Sequence, residues 1–498
     1  MKVKRTTILL LTLFTCTYGI QNEFRNLPDN LIFGAVTSAY QIEGAWESDG
    51  KKENIWDFMT HNMPTKIEDG STGDIACDSY NKIKEDVEML KTVGFQYYRF
   101  SISWTRILPD GFLYNINQAG IDYYNLLIDE LIANDIVPMV TIYHWDLPQT
   151  LQELGGWANS EMTTWFTDFS NVLFENYGDR VKLWITINEP KQICEFGYGT
   201  GVFAPAYKYS GIGDYLCTKN VLLAHASAYH LYDNKFRKQQ QGRIGITIES
   251  SWSEPASNST EDISAAERRR QFDFGIYVEP IFGQYGDFPE VVKNIVKERS
   301  FAEGFSKSRL PQLTSDEIRY IKGTFDFLGI NHYTTFYVKH TTPDPISTPS
   351  RQNDEHVTLH SDPSWLTGSI PYFKLVPWGF RKLLKYFKDN YDNPEVIITE
   401  NGFPDTGEID DQNRIRYHKG NLNALLDAIE YDDVRATGYF AWSLMDNFEW
   451  SAGYTSRFGL YYVNFTDPKR ERLPKSSSLF FKELLQSRLL LRNDLKIL

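Results

Sequence analysis

The sequence predicts an α/β fold, a (β/α)8 barrel with long loops after its strands. Three observations predict it. Eight short apolar runs rich in β-branched and aromatic residues recur along the chain. Stretches of helical periodicity separate them, and no Gly/Ser linker or block of like charge divides the alternation. Its 498 residues alone would suggest about three domains. The undivided pattern predicts instead one domain over residues 20–498. A doubly wound sheet would usually carry a Gly-rich turn after its first strand, and none is present.

The strand-like runs cover residues 31–40, 95–104, 136–145, 184–189, 244–252, 325–334, 396–400 and 436–445. Most are β-branched and aromatic over four to eight residues, which suits parallel strands buried on both faces. In the first helical stretch Tyr80, Ile83, Val87 and Leu90 recur at spacings of three and four and stop at Gly94. The same theme returns at 119–134, 162–177, 215–238, 378–391 and 415–429.

Residues 1–19 read as a secretory signal. Lys2, Lys4 and Arg5 make a basic start, 8–14 is apolar, and Thr17 and Gly19 offer small residues for cleavage before Ile20. The apolar run is about half the roughly 20 residues of a membrane span. No later window is long and apolar enough to span a bilayer, so no membrane partner is expected and the product should be secreted. Lys plus Arg is 51 against 65 Asp plus Glu, a formal charge of −14. That balance lacks the basic footprint of a nucleic-acid binder. The 15% aromatic content, with 12 Trp and 30 Tyr, suits stacking on sugar rings.

Cys77, Cys194 and Cys217 remain after the signal. They permit three choices of one disulfide, among which the sequence does not choose; the preferred pairing is Cys194–Cys217. Asn258-Ser259-Thr260 and Asn464-Phe465-Thr466 are glycosylation sequons. Oligomeric state, monomer or homodimer, stays open.

A barrel places its chemistry where strands end. The ends of these runs carry Gln41, Arg99, Trp104, His144, Trp145, Asn188, Glu189, Asn331, Tyr333, Glu400 and Trp442. Two ends look alike: an apolar strand closing on Asn188-Glu189-Pro190, and another on Thr399-Glu400-Asn401-Gly402. A desolvated carboxylate needs a partner or a task. Two of them across a pocket are what glycosidic cleavage requires, one to protonate the leaving oxygen and one to meet the anomeric carbon. Their separation, about 5–5.5 Å or about 6.5–9.5 Å, distinguishes retention from inversion and is not legible in sequence.

These residues also carry a resemblance. Tyr40-Gln41-Ile42-Glu43-Gly44-Ala45, Tyr98-Arg99-Phe100-Ser101, His144-Trp145-Asp146-Leu147-Pro148, Asn188-Glu189-Pro190, Asn331-His332-Tyr333, Ile398-Thr399-Glu400-Asn401-Gly402 and Asn447-Phe448-Glu449-Trp450 follow in order. The chain resembles glycoside hydrolase family 1, the β-glucosidase and myrosinase family, in the phrasing of a secreted, insect-like animal member. The resemblance implies a retaining double displacement with Glu189 as acid/base and Glu400 as nucleophile. It implies that Arg99 and Tyr333 orient Glu400. For the glycon it implies Gln41 and Glu449 on sugar hydroxyls, with His144, Asn188 and Asn331 nearer the anomeric carbon. Trp442 would be the stacking floor, Trp450 an indole donor and Phe458 a wall. Glu449 would repel a 6-phosphorylated sugar, so the expected substrate is an unphosphorylated β-D-glucoside.

The alternative is a thioglucosidase acting on sulfated S-glucosides. Plant myrosinases replace the acid/base Glu by Gln, and Glu189 departs from that; insect-type ones keep the Glu. Sulfate would want a basic residue at the aglycone mouth. Glu195 and Phe336 occupy candidate positions, with Lys191 near, which favours O-glucosides. A more remote alternative, a non-catalytic sugar-binding relative, would typically have lost one carboxylate.

Other signals are read as structural. His225 and His230 are packed or surface histidines, and Glu43 is a structural carboxylate. Arg268-Arg269-Arg270 is a solvated helix face paired with Glu267. His356 and His360 lie four apart without helical patterning. No metal-ligand spacing, P-loop or dinucleotide fingerprint appears, and no cofactor is implied. The stretch 339–375 is the expected aglycone loop.

Overall fold

The computed structural model describes residues 23–342 and 348–492. The expected signal, with Cys16, and the tail 493–498 lie outside the described residues. Eight parallel strands close into a barrel: β1 (Ile32–Val36), β2 (Tyr97–Ser101), β3 (Val137–Tyr143), β4 (Leu183–Asn188), β5 (Arg243–Glu249), β6 (Leu328–Asn331), β7 (Val396–Asn401) and β8 (Ala436–Trp442). Each neighbours the next in chain order, and β8 returns to β1 with Gly438 opposite Ile32 and Trp442 opposite Val36. This is the (β/α)8 architecture that the alternating runs predict.

Successive side chains on a strand face opposite ways, and here each way leads to a core. Val36, Met139, Ile185, Ile397 and Phe440 pack together inside the barrel. Their chain neighbours Ala35, Val140, Trp184, Ile398 and Tyr439 belong to the larger core shared with the helices. Burial on both faces is why the strands read as unbroken apolar runs. Gly34 makes room for this packing: a Cβ there would stand 2.5 Å from the Phe440 ring and 2.7 Å from the Tyr97 carbonyl oxygen.

The outer layer includes α1 (Ile83–Val93), α2 (Gln118–Ala133), α3 (Met162–Tyr177), α4 (Gly213–Leu231), α5 (Pro377–Asn390) and α6 (Gln412–Asp432). Helix α1 ends at Gly94, whose φ of 90° lets its N–H donate to the carbonyls of Leu90 and Lys91. Further helices, Thr260–Arg270, Glu290–Ala302 and Ser315–Ile321, lie between β5 and β6, and Ser476–Ser487 follows β8. They lie outside the stretches expected above, although Val292, Ile295 and Val296, and Phe481, Leu484 and Leu485, keep helical spacing.

Several strands are shorter than their apolar runs. The first stops at Val36, and the chain then forms a helical turn, Ala39–Ile42, that carries Gln41. Trp104 opens another turn and stacks on Phe169 at 4.5 Å, so it belongs to the outer core and not to the strand ends that carry chemistry. Trp252–Pro255 leaves the barrel and pairs with Thr335–His340, which pairs in turn with Val357–His360. The described part of 339–375 thus contributes to a small sheet and carries the helix Arg351–Glu355. The disulfide joins Cys194 to Cys217, the preferred pairing, and Cys77 is free and buried. Both bonded cysteines sit in helical segments, Gln192–Thr200 and α4.

Candidate active site

Glu189 is the first residue beyond β4, and Glu400 lies in the last turn of the pleat of β7. Both are almost fully buried, 4% and 3% exposed. Glu189 has a left-handed backbone, φ 49°, an arrangement a non-glycine residue adopts only when its surroundings enforce it. Its N–H donates to the Thr247 carbonyl at 2.9 Å, so β5 holds the turn that aims the side chain.

The two carboxylates have different partners. Arg99 Nη1 donates to Glu400 Oε1 at 2.7 Å, and the Tyr333 hydroxyl donates to Oε2 at 2.6 Å. Arg99 is itself fixed: Nε to Thr141 Oγ1 at 3.0 Å, Nη1 to the Thr399 carbonyl at 3.0 Å and Nη2 to Asn188 Oδ1 at 2.6 Å. Glu189 receives only Asn331 Nδ2, at 2.6 Å on Oε1. Thr399 Oγ1 orients that amide by donating to Asn331 Oδ1 at 2.8 Å.

Burial pushes the Glu189 carboxyl well above the usual carboxylate range, and the charges of Glu400 and Glu249 push it further; Asn331 only partly opposes them. Burial also raises Glu400, but the Arg99 cation and the Tyr333 hydrogen bond favour its charged form. Of the pair, Glu400 ionises first and Glu189 keeps the proton.

A polar and aromatic wall surrounds them. Asn188 Nδ2 faces His144 Nε2 at 3.1 Å, while Asn188 Oδ1 accepts from Arg99 and Asn331. With the amide so oriented, His144 Nε2 accepts and Nδ1 carries the hydrogen, with no protein partner for it. Burial and the nearby Arg99 hold His144 neutral, well below its ordinary pKa. Gln41 Nε2 donates to Asn447 Oδ1 at 3.0 Å, the Phe448 carbonyl at 2.8 Å and Glu449 Oε2 at 3.5 Å. Burial first, then the charge of Glu400, lifts Glu449 to about 8. His144 stacks near Trp442 at 6.1 Å and near Trp450 at 5.9 Å, and Trp145 packs on Trp450 at 4.5 Å. Phe458 stands 6.1 Å from the Tyr333 ring and 5.4 Å from Phe373. The result is a cluster in which the proton is favoured on Glu189 and charge on Glu400, with hydrogen-bonding groups alternating with flat apolar faces.

The model of "Glycosyl hydrolase family 1" matches residues 23–489. The chain belongs to glycosyl hydrolase family 1. It is 46% identical to Myrosinase 1 of Brevicoryne brassicae over 463 residues, covering 92% of this chain and 98% of that one. It is 43% identical to the cytosolic beta-glucosidase of Homo sapiens, again over 92% and 98%. Among solved structures, an aphid myrosinase superposes with a TM-score of 0.88 at 45% identity, covering 93% and 99%. With the family comes the activity: the protein is a retaining glycosidase of the β-glucosidase type.

On this glycosidase scaffold Arg99, His144, Asn188, Glu189, Asn331, Tyr333, Glu400, Gln41, Trp442, Glu449, Trp450 and Phe458 gather in one cluster beyond the strand ends. Sequence reasoning missed Thr141, Thr247 and Thr399, whose side chains or carbonyls set Arg99, Glu189 and Asn331; the only available signal was a hydroxyl inside an apolar strand. It also missed Glu249 and Tyr372, both within electrostatic reach of Glu189. Glu43 is structural: buried, it takes Arg106 Nε at 3.0 Å and the Tyr124 hydroxyl at 2.6 Å. It follows the helical turn of Gln41 and shares no strand with it. His225 is packed, bonded to Thr186 and Thr324, and His230 lies at the surface. The arginine run is not a solvated face. Arg270 does pair with Glu267, but Arg269 is buried against Asp273 and Glu355.

Proposed function

We propose that the enzyme hydrolyses terminal, non-reducing O-linked β-D-glucosyl residues with Glu400 as nucleophile and Glu189 as acid/base. The observation that carries this reading is the unequal partnering of the two buried carboxylates. Arg99 and Tyr333 both act on Glu400, whereas Glu189 meets a neutral amide and two further negative charges. In the first step a Glu400 oxygen bonds to the anomeric carbon while Glu189 gives its proton to the departing oxygen. Ester formation removes the charge of Glu400, the largest neighbouring charge that holds the proton on Glu189. Glu189, left as a carboxylate, is then stable in its charged form. It takes a proton from water as the water oxygen bonds to the anomeric carbon and Glu400 departs, which releases the sugar with retention.

For the glycon, the hydrogen on His144 Nδ1 meets a hydroxyl, Gln41 and Glu449 bridge two more, and Trp442 supplies a flat floor. A sugar lacking one of these hydroxyls leaves a buried group unpaired, which makes such a pocket selective.

Three positions bear on sulfated thioglucosides. Lys191 is buried and paired with Glu249 and Asp273, Glu195 faces Arg351 at 3.7 Å, and position 336 is Phe. None offers a free cation to sulfate, which supports O-glucosides. We also infer that one domain spans residues 20–498, is exported after loss of 1–19, and carries sugar on Asn258 and Asn464. An exported route suits the Cys194–Cys217 bond, and Asn258 is exposed. Parallel turnover of salicin, cellobiose and a glucosinolate tests the substrate class. The two O-glucosides should be hydrolysed in preference; a strong glucosinolate preference overturns the reading.

A further inference from the structure

Behind Glu189 lies a second cluster of charge that the steps above do not use. Two residues past Glu189, Lys191 is 7% exposed, and its Nζ donates to Glu249 Oε2 at 2.9 Å and to Asp273. Glu249 ends β5, also 7% exposed, and its other oxygen accepts from Ser251 Oγ at 2.9 Å. Asp273 is met by Arg269 Nη2 at 2.9 Å, and Arg269 grips both oxygens of Glu355 at 3.0 Å each. Arg351 lies 3.7 Å from both Glu195 and Glu355. Four carboxylates thus meet three cations in a buried chain, an excess of one negative charge, and the end nearest Glu189 is Glu249.

The strands bring that end to the pocket. β5 lies between β4, which delivers Glu189, and β6, where Asn331 stands opposite Glu249 in register. The Glu189 N–H is bonded to Thr247, two residues before Glu249 on the same strand. Lys191 therefore ties the Glu189 turn to the tip of β5 from one side while Thr247 holds it from the other. Burial raises the Glu249 carboxyl above its ordinary range, and a bare one would take up a proton; the Lys191 ammonium and the Ser251 hydroxyl oppose that rise.

We propose that Glu249, clamped by Lys191, is a positioning residue for Glu189, a charged group outside the glycon wall that keeps the proton on Glu189 at the start of the cycle. This rests on the acid/base role assigned to Glu189 above. The groups facing Glu189 are Glu400 from β7, Glu249 from β5, Arg99 from β2, and Tyr333 and Tyr372 from the segments after β6. Glu400 loses its charge when the glycosyl ester forms, whereas Glu249 does not. With its charge kept by Lys191, Glu249 then sets the strength of Glu189 as a base in the second step as well as holding its proton in the first.

The test is the pH profile of kcat/KM on a phenyl β-glucoside for the native enzyme, Glu249→Gln and Glu249→Asp. The Glu249 charge raises the Glu189 pKa, so neutralising it lowers that pKa and moves the basic limb down. The expected shift is about half a pH unit or more, with Asp returning the limb towards the native position. Should Glu249→Gln not fold, Lys191→Met carries the test: without its cation Glu249 takes up a proton, so the same limb moves down. Basic limbs coincident with the native one in the folded variants overturn the proposal, since a purely structural pair changes rate without moving the limb. Glu189→Gln is measured alongside on an activated nitrophenyl glucoside. Loss of its basic limb is expected, and persistence of that limb would count against the acid/base reading itself, whatever Glu249 does.

Discussion

Glu189 and Glu400 are the same residue type at the same kind of position, and their difference is made entirely by what touches them. Arg99 and Tyr333 favour charge on one; burial and like charge favour the proton on the other. The same logic applies to Glu449, which meets Gln41 at 3.5 Å at the rim of the glycon wall. Glu449→Gln keeps the size of the side chain but replaces a carboxyl oxygen proposed to meet a sugar hydroxyl by an amide NH2. Its kcat/KM on a β-glucoside should fall by about ten- to a hundredfold, roughly 1.5–3 kcal/mol, in steady-state kinetics. An unchanged value would remove Glu449 from the glycon contacts. At this scale the motifs made the charged and aromatic residues legible. The threonines were not, because Thr141 and Thr399 act by fixing Arg99 and Asn331, and a hydroxyl within a strand has no sequence pattern of its own.

Elements carry the next part of the account. The apolar runs revealed all eight strands because burial on both faces favours apolar residues along most of their length. Their ends were less legible: runs continue past the last ladder bond wherever the following turn is also buried, as at Trp104 and along Ala39–Ile42. Between β5 and β6, Thr260–Arg270 is hard to read as a helix because it is mostly polar, whereas Glu290–Ala302 keeps helical spacing at Val292, Ile295 and Val296. The turn and helix that follow Glu189 are cross-linked by Cys194–Cys217, which joins Gln192–Thr200 to α4. Closing a loop with a sequence separation of 23 residues removes freedom from the unfolded chain. Replacing both cysteines by serine should cost about 3 kcal/mol and lower Tm by a few degrees in calorimetry. An unchanged Tm would mean that the packing of the two helical segments suffices without the bond.

For the whole molecule, the barrel solves a problem that sequence alone poses. Glu189 and Glu400 are more than two hundred residues apart in the chain, yet Asn331, Arg99 and Asn188 link them through a few hydrogen bonds. Strand order explains this: β4 and β7 have only β5 and β6 between them, so their C-terminal ends open onto the same mouth. That convergence was legible from eight runs with polar ends. The charge chain behind Glu189 was not, because Lys191, Asp273 and Glu355 come from three segments that no periodicity brings together. The central claim is that Glu400 forms the covalent bond to the sugar. Inactivation with a slowly hydrolysed fluorinated glucoside, followed by peptide mass mapping, tests it most directly. One glucosyl label per chain on the peptide carrying Glu400, and none on the Glu400→Gln variant, is the predicted result; a label on another residue, or Glu400→Gln turning over glucoside at the native rate, would contradict it.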